Sequence, residues 1–221
     1  IVIALADATH YSHMHGVLHR DLKPSNVLLA PKATAAQVAP DELPFVPRLT
    51  DFGLAKVVEG DLCETPASAV LGTPLYMAPE QAMGRVGDIG PPTDVYALGA
   101  ILYELLTKRT PFQGTTALEV LDQLRSAEPV PPSWLVRSVP RDLETICLKC
   151  LEKRPHCRYS SAADLALDLR SFLDGKPTVA RPLGAAHRLA KWTRRKPAVA
   201  VWVATVAVVL LFPSASATSA L

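Results

Sequence analysis

The chain has 221 residues, 49% of them hydrophobic, and a formal net charge of +2 at pH 7. This length and apolar content exclude a disordered chain and leave room for one large domain or two small ones. The sequence begins at Ile1 inside an apolar run, so we expect a fragment or a processed product. Four cysteines in a chain of this size indicate reduced thiols of an intracellular protein and exclude a disulfide-rich secreted scaffold.

Charge is divided unevenly along the chain. All 21 acidic residues lie at or before Asp174, whereas seven of the 23 Lys and Arg residues lie from Lys176 onward. The body therefore holds 16 basic and 21 acidic residues, a formal charge of −5, and the tail has a charge of +7. An acidic body is thus followed by a basic end.

The predicted elements begin with a helix from Ile1 to Gly16, which the glycine ends. A loop from Val17 to Asn26, VLHRDLKPSN, and a short strand, VLLA, follow it. Residues 31–47 are rich in Ala and Pro, which predicts a surface excursion between two strands, because a longer loop costs little entropy. PRLTDFGLAK then predicts a brief second strand and a turn at Gly53.

The later part of the body is predicted to be helical. Thr93 or Asp94 is the expected N-cap of a helix, DVYALGAILYELL, that is apolar on nearly every side and therefore buried at the domain centre. Three more helices are predicted, at Thr115 to Ala127, Pro140 to Lys153 and Ser161 to Leu173. Ser161 and Asp164 resemble a capping box, and Gly175 closes the last helix and the domain.

The tail is predicted to approach a membrane. Residues 176–197 form a basic linker without one acid, and residues 198–218 carry no charge. The most apolar part, 198–212, would span about 22 Å as a helix, so a membrane span of about 30 Å needs the small residues after Pro213 as well. A buried or interfacial helix is the alternative. Nucleic-acid binding by the basic linker is disfavoured, because it has one aromatic residue and adjoins an apolar segment.

Mixed polar groups are concentrated in the loop VLHRDLKPSN. His19, Arg20, Asp21, Lys23 and Asn26 bring donors, an acceptor and cations into eight residues. Such groups rarely serve packing alone, because each needs a partner or water once it is covered. The loop therefore predicts a reactive site.

Three motifs occur in a fixed order: HRDLKPSN at 19–26, DFG at 51–53 and APE at 78–80. Together they resemble the large lobe of eukaryotic-type protein serine/threonine kinases, in particular bacterial membrane-anchored receptor-like kinases. The resemblance covers about 1–175 and implies an α+β, predominantly helical kinase large lobe. The motifs of the small lobe would come before the large lobe and are not in this sequence, so we expect this chain alone to be inactive or nearly so.

The resemblance implies roles in phosphate transfer from ATP. Asp21 would accept or orient the proton of the substrate hydroxyl, and Lys23 would neutralise the γ-phosphate and indicate a serine/threonine-directed enzyme. Asn26 and Asp51 would supply oxygen ligands to Mg²⁺, which prefers carboxylate, amide, water and phosphate oxygens. Leu28 would lie beneath the adenine ring.

Regulatory residues are implied as well. Arg20 is expected to receive a phosphate on the activation loop, because a guanidinium matches phosphate geometry. The candidate activation-loop residues are Thr65, Ser68 and Thr73. Of these, Thr73 resembles the threonine that faces the substrate and contacts Asp21 and Lys23, which leaves the other two as phosphorylation sites.

Four other residues are expected to be structural. His19 would be part of the scaffold of the catalytic loop and not a base. Glu80 and Arg158 would form a buried ion pair, and Asp94 would brace the catalytic loop from the central helix.

The leading hypothesis is a single-pass membrane-anchored signalling kinase at the cell membrane, with a cytoplasmic kinase domain, protein substrates and a homodimer for phosphorylation in trans. The alternatives are a membrane-tethered pseudokinase scaffold and an inactive truncated product. Asp21, Lys23, Asn26 and Asp51 are all present, which argues against the pseudokinase. A zinc site on CLKC with His156 and Cys157 is a minor alternative, because that spacing fits one buried helical face better.

Overall fold

The computed structural model describes residues 1–31, 44–52 and 74–180. The helices of these ranges are α1 (Val2–Met14), α2 (Pro79–Ala82), α3 (Pro91–Thr107), α4 (Ala117–Ser126), α5 (Pro132–Leu135), α6 (Arg141–Cys150) and α7 (Ala162–Leu173). Short 3₁₀ turns lie at Pro24–Asn26, Val86–Asp88 and Pro155–Cys157. The strands are β1 (Val27–Pro31) and β2 (Phe45–Leu49). The described part is thus mostly helical, with one small sheet, as predicted.

β1 and β2 pair antiparallel, from Val27 opposite Leu49 to Pro31 opposite Phe45. The second strand begins earlier than predicted, inside the Ala- and Pro-rich segment. Pro47 is tolerated there because the described sheet has two strands, so each strand has an edge where no N–H is needed. The remainder of the predicted excursion, residues 32–43, lies outside the described residues.

α3 forms the centre of the fold, as its sequence predicts. Every residue from Val95 to Tyr103 is buried. The helix begins at Pro91, however, and not after a cap at Thr93 or Asp94. Proline suits the first turn because the N–H groups there have no partner within the helix. The Gly90 N–H donates instead to the Thr93 hydroxyl, at 3.1 Å.

The capping box predicted at the last helix is present. The Asp164 N–H donates to the Ser161 Oγ, and the Ser161 N–H donates to the Asp164 carboxylate, each at 3.1 Å. Gly175 follows α7 with φ = 66°, a left-handed conformation that glycine adopts without a steric cost. The beginning and end of α7 therefore follow from local sequence.

The cysteines of α6 are packing residues. Cys147 and Cys150 are free thiols buried in the core, and burial raises the pKa of each thiol above its ordinary value. Cys157 is exposed. Among the described residues no group of three or more His, Cys, Asp or Glu side chains is placed to hold a metal ion. The zinc alternative is therefore unsupported in this part of the chain.

Gly99 is where α3 touches α6, and we predict that Gly99→Ala is destabilising by about 1–3 kcal/mol. A Cβ at this position would clash with the Cβ of Cys150 and lie 3.4 Å from its Cα, so no rotamer change relieves the clash. Gly87→Ala is the matched control, because nothing lies within 4 Å of its added Cβ. Urea unfolding of both variants measures the difference. Equal midpoints would show that the helices move apart at no cost.

The chain beyond α7 is held to that helix. The backbone N–H groups of Val179 and Ala180 donate to the buried carboxylate of Asp168, at 2.6 and 2.8 Å, and the Tyr159 hydroxyl donates to it at 2.6 Å. These bonds attach residues 179–180 to the lobe. The predicted linker beyond 180 and the predicted span at 198–218 lie outside the described residues. None of the helices in the described ranges is long and apolar enough to cross a bilayer.

Candidate active site

The loop that contains Asp21 is suspended from Asp94, near the beginning of α3. The backbone N–H groups of His19 and Arg20 donate to the two carboxylate oxygens of Asp94, at 2.9 and 2.8 Å. The ring Nε2 of His13 in α1 is 2.7 Å from the same carboxylate, which is 1% exposed. A buried acceptor thus fixes the loop through its backbone and leaves the side chains of the loop for other contacts.

Arg20 is held in a left-handed conformation, with φ = 63°. A residue with a Cβ reaches this region at a cost, and such strain persists only where neighbouring bonds impose it. Here the bond to Asp94 holds the Arg20 N–H, and the Gln81 side chain of α2 donates to the Arg20 carbonyl at 2.8 Å. The turn therefore directs the next residue, Asp21, away from the path of the preceding chain.

Asp21, Lys23 and Asn26 form one hydrogen-bonded group. The Lys23 ammonium donates to the Asp21 carboxylate at 2.8 Å. The Asn26 amide donates to the Asp21 carbonyl at 2.9 Å and lies 3.4 Å from its carboxylate. The side chain of Asp21 is 19% exposed, so a ligand can reach it. An acceptor, a cation and an amide thus converge at one accessible point.

Asp51 is brought to this group by the end of β2. The Thr50 N–H, one residue earlier, donates to the Asn26 carbonyl at 3.0 Å. The Nε2 atom of the buried His19 ring lies 3.0 Å from the Thr50 carbonyl oxygen. The centroid of the same ring lies 4.7 Å from the centroid of the Phe52 ring. Since a carbonyl oxygen only accepts, this Nε2 carries a proton. His19 therefore connects the loop that contains Asp21 to the segment from Thr50 to Phe52.

The side chain of Asp51 is exposed, and its backbone has φ = 54°. Like Arg20, Asp51 has a left-handed backbone, here two residues after the end of β2, and such conformations are frequent at functional sites. A carboxylate and an amide oxygen suit Mg²⁺, which takes few protein ligands and completes its shell with water and phosphate oxygens. The donor set of Asn26 and Asp51 thus fits the ion. Leu28, on β1, is 56% exposed and open to contact by a ligand.

Glu80, in α2, makes a buried pair with Arg158. The two guanidinium nitrogens Nη1 and Nη2 each lie 2.7 Å from a different carboxylate oxygen. Thr93 adds its hydroxyl to Glu80 at 2.8 Å, and Arg158 also donates to the carbonyls of Glu152, Pro92 and Lys153. The pair joins α2, α3 and the loop after α6. Because Gln81 contacts Arg20, this fixed α2 also supports the catalytic loop.

Two residues of the site were missed by the sequence reasoning. His13 lies on the inward face of α1, four residues after the buried Thr9, so helical periodicity could have indicated it. Gln81 gave no signal, because its contact with Arg20 crosses 61 positions of sequence. The candidate activation-loop residues Thr65, Ser68 and Thr73 lie outside the described residues.

We predict that Asp94→Asn loosens the catalytic loop. The amide offers one acceptor oxygen where Asp94 offers two, so one of the N–H groups of His19 and Arg20 faces a donor. An unsatisfied buried group costs about 1–3 kcal/mol. Hydrogen exchange at these two amides should accelerate, while Asp142→Asn, at an exposed position of α6, leaves it unchanged. Unaltered protection in Asp94→Asn would refute the role of the carboxylate.

Comparison with known proteins agrees with this geometry. A family model described as "Protein kinase domain" matches residues 1–168. The chain belongs to the protein kinase family. The match includes the catalytic loop, the DFG and APE segments and Arg158, so the kinase fold underlies both the group around Asp21 and the buried pair of Glu80.

Several curated relatives of this kinase domain come from bacteria. The chain is 37% identical over 177 residues to the serine/threonine-protein kinase PknB of Mycobacterium leprae, covering 80% of this chain and 26% of that protein. It is 43% identical over 198 residues to the serine/threonine-protein kinase PkaA of Streptomyces coelicolor, covering 89% and 33%. A probable PknB of Bifidobacterium longum is 31% identical over 199 residues, covering 90% and 27%. The chain thus spans about a quarter to a third of the length of these relatives.

Proposed function

We propose that the full-length protein transfers the γ-phosphate of ATP to serine and threonine hydroxyls of protein substrates. The observation that carries this proposal is the group of Asp21, Lys23 and Asn26, held by a buried carboxylate and linked through Thr50 to Asp51. Membership of the protein kinase family and the names of the relatives support it.

Phosphate transfer needs little covalent chemistry from the protein, so catalysis depends mainly on positioning of the reactants and on electrostatic stabilisation. Asp21 aims the substrate hydroxyl and accepts its proton as the new oxygen–phosphorus bond forms and the bond to the leaving diphosphate breaks. Lys23 places its positive charge beside the phosphate oxygens. The contact of 2.8 Å between these two side chains keeps the acceptor and the cation together before a ligand arrives.

Two cofactors are implied by the family, ATP and Mg²⁺. We assign the ion to Asn26 and Asp51 and the adenine contact to Leu28. When bound, the ion neutralises charge on the phosphate oxygens. The chain supplies an exposed carboxylate at Asp51, whose backbone is left-handed, and a fixed amide at Asn26. The hydrogen bond from the Thr50 N–H to the Asn26 carbonyl connects the two segments.

Calorimetric titration of the full-length protein with ATP, with and without Mg²⁺, tests this assignment. We expect binding that depends on Mg²⁺, and loss of most of that dependence in Asp51→Asn. A folded protein that binds no ATP under either condition would contradict a kinase and favour the membrane-tethered scaffold.

Regulation by phosphorylation of the activation loop belongs to the same proposal. The backbone of Arg20 is fixed on both sides by Asp94 and Gln81, so its side chain begins at a defined point. Thr65 and Ser68 are the proposed phosphate carriers, modified in trans within a homodimer. Mass spectrometry that finds neither residue phosphorylated in active full-length protein would remove this part of the proposal.

We also propose that the protein is anchored in the cell membrane as a single-pass signalling kinase with its kinase domain in the cytoplasm. The support is compositional: residues 198–218 carry no charge and follow a linker, 176–197, that is basic and free of acids. After an alkaline carbonate wash, the full-length protein should stay with the membrane fraction. Release of the protein by that wash would contradict a spanning anchor.

A further inference from the structure

A cavity of about 500 Å³ lies between the loop that follows α2 and the loop that joins α6 to α7. The residues of its walls that matter here are Met83, Arg85, Asp88, Lys153, Arg154 and His156. None of the catalytic-loop residues 19–26 lines it, and neither does Asp51. The cavity is therefore a separate feature of the lobe.

Positive charge is concentrated in this cavity. Arg85 and Arg154 are exposed guanidinium groups, and neither has an acidic partner among the residues that the structure describes. Glu80 also borders the cavity, but its carboxylate is neutralised by Arg158. Asp88 is then the one remaining acid among the lining residues. Such a basic patch is notable because residues 1–175 carry a formal charge of −5.

Lys153 forms the inner wall of the cavity. Its ammonium donates to the Leu124 carbonyl at 2.7 Å and lies 4.1 Å from the centre of the Phe112 ring. Burial, and then the nearby charge of Arg158, lower the pKa of Lys153 to about 7. A bound anion would favour the charged form of Lys153. The cavity is thus lined by one partly buried lysine and two exposed arginines.

We propose that this cavity binds the phosphorylated side chain of a serine or threonine in a peptide. Guanidinium groups match phosphate oxygens in pairs, and Arg85 and Arg154 line the cavity from two different loops. The cavity volume of about 500 Å³ is many times the roughly 30 Å³ that one water occupies, so the cavity has room for more than a lone phosphate ion. Pro79, Met83 and Pro155 provide apolar wall for the residues that flank the phosphate.

The test titrates the full-length protein, without ATP, with three probes. These are a nine-residue uncharged peptide with one central phosphothreonine, the same peptide without phosphate, and inorganic phosphate. We expect the phosphopeptide to bind at least about tenfold more tightly than either other probe, because the phosphate and the flanking residues both contribute. Since no ATP is present, the result does not depend on whether the protein transfers phosphate.

Charge-removing variants locate the binding. Arg85→Gln and Arg154→Gln should each weaken phosphopeptide binding about fivefold or more, and Asp88→Asn should strengthen it by removing a like charge. Arg137→Gln is the matched control, since Arg137 is exposed and lies outside the cavity. All four positions are exposed, so thermal unfolding should show the variants folded as well as the wild type.

Three outcomes would overturn the proposal. Equal affinity for inorganic phosphate and the phosphopeptide would leave a small-anion site only. Phosphopeptide binding unaffected by Arg85→Gln and Arg154→Gln would place the binding elsewhere. If these variants weaken binding to vesicles of anionic phospholipid but leave the peptide unaffected, the patch contacts a membrane surface instead.

Discussion

Asp21→Asn lowers the rate of phosphate transfer by the full-length protein about a hundredfold to ten-thousandfold, the usual contribution of a positioned acid or base. The amide keeps the size of the carboxylate and an acceptor oxygen but takes up no proton. The substitution also removes the negative charge that the Lys23 ammonium contacts at 2.8 Å, so the ammonium is held less firmly. Steady-state kinetics with Mg-ATP and a generic basic protein as substrate measure the loss.

The loss should fall on kcat and leave the KM for ATP nearly unchanged, because Asp21 is proposed to act on the substrate hydroxyl and not on the nucleotide. Asp142→Asn, the same exchange at an exposed position of α6, is the control and should retain wild-type turnover. Hydrogen bonds through the Asp21 carbonyl persist in the variant, so its folding should be normal. Turnover within threefold of the wild type would refute the role of Asp21.

Arg158→Met is expected to destabilise the kinase domain by about 3–5 kcal/mol, because it leaves the buried carboxylate of Glu80 without its cation. Glu80 is 2% exposed and Arg158 is 4% exposed, so water cannot replace the lost partner. The variant also frees carbonyls that the guanidinium contacts at Pro92, Lys153 and Glu152. Denaturant unfolding monitored by fluorescence measures the change.

The chain contains its own control for this substitution. Arg170 pairs with Asp7 across α7 and α1, but both side chains are nearly half exposed, at 46% and 47%. Arg170→Met should therefore cost less than about 1 kcal/mol. The double variant Glu80→Gln, Arg158→Met should lose less than the sum of its single variants, because no charge is left unpaired. Equal losses for Arg158→Met and Arg170→Met would show that burial of the pair is irrelevant to stability.

Local sequence predicted the parts of the fold that depend on neighbours in the chain. The uninterrupted apolar run of α3 required a buried helix, and the Ser161–Asp164 box marked the beginning of α7. The same kind of reasoning misplaced the beginning of α3. A threonine and an aspartate resembled a cap, but the turn begins at Pro91 and Asp94 serves the catalytic loop.

The arrangement of the site could be predicted only in outline. The family resemblance implied that Asp94 braces the loop, yet nothing in the sequence indicates that Gln81 contacts Arg20 across 61 positions. Such contacts depend on how α1, α2 and α3 pack, which periodicity does not determine. The left-handed conformation of Arg20 is likewise imposed by tertiary bonds, from Asp94 and Gln81, against the preference of a residue with a Cβ.

The basic cavity shows the same limit. Lys153 and Arg154 are adjacent in sequence, whereas Arg85 lies far from them. The buried pair between Glu80 and Arg158 joins α2 to the loop after α6. A basic patch that forms only when distant segments fold together leaves no run of basic residues in the sequence. Composition alone therefore predicted an acidic body.

The most direct measurement is phosphate transfer itself, from ATP labelled in its γ-phosphate with heavy oxygen, by the full-length protein onto a basic protein substrate. The account predicts labelled phosphoserine or phosphothreonine in the wild type, detected by mass spectrometry, and at least a hundredfold less in Asp21→Asn. A folded protein that binds Mg-ATP but labels its substrate no faster than Asp21→Asn would contradict the account.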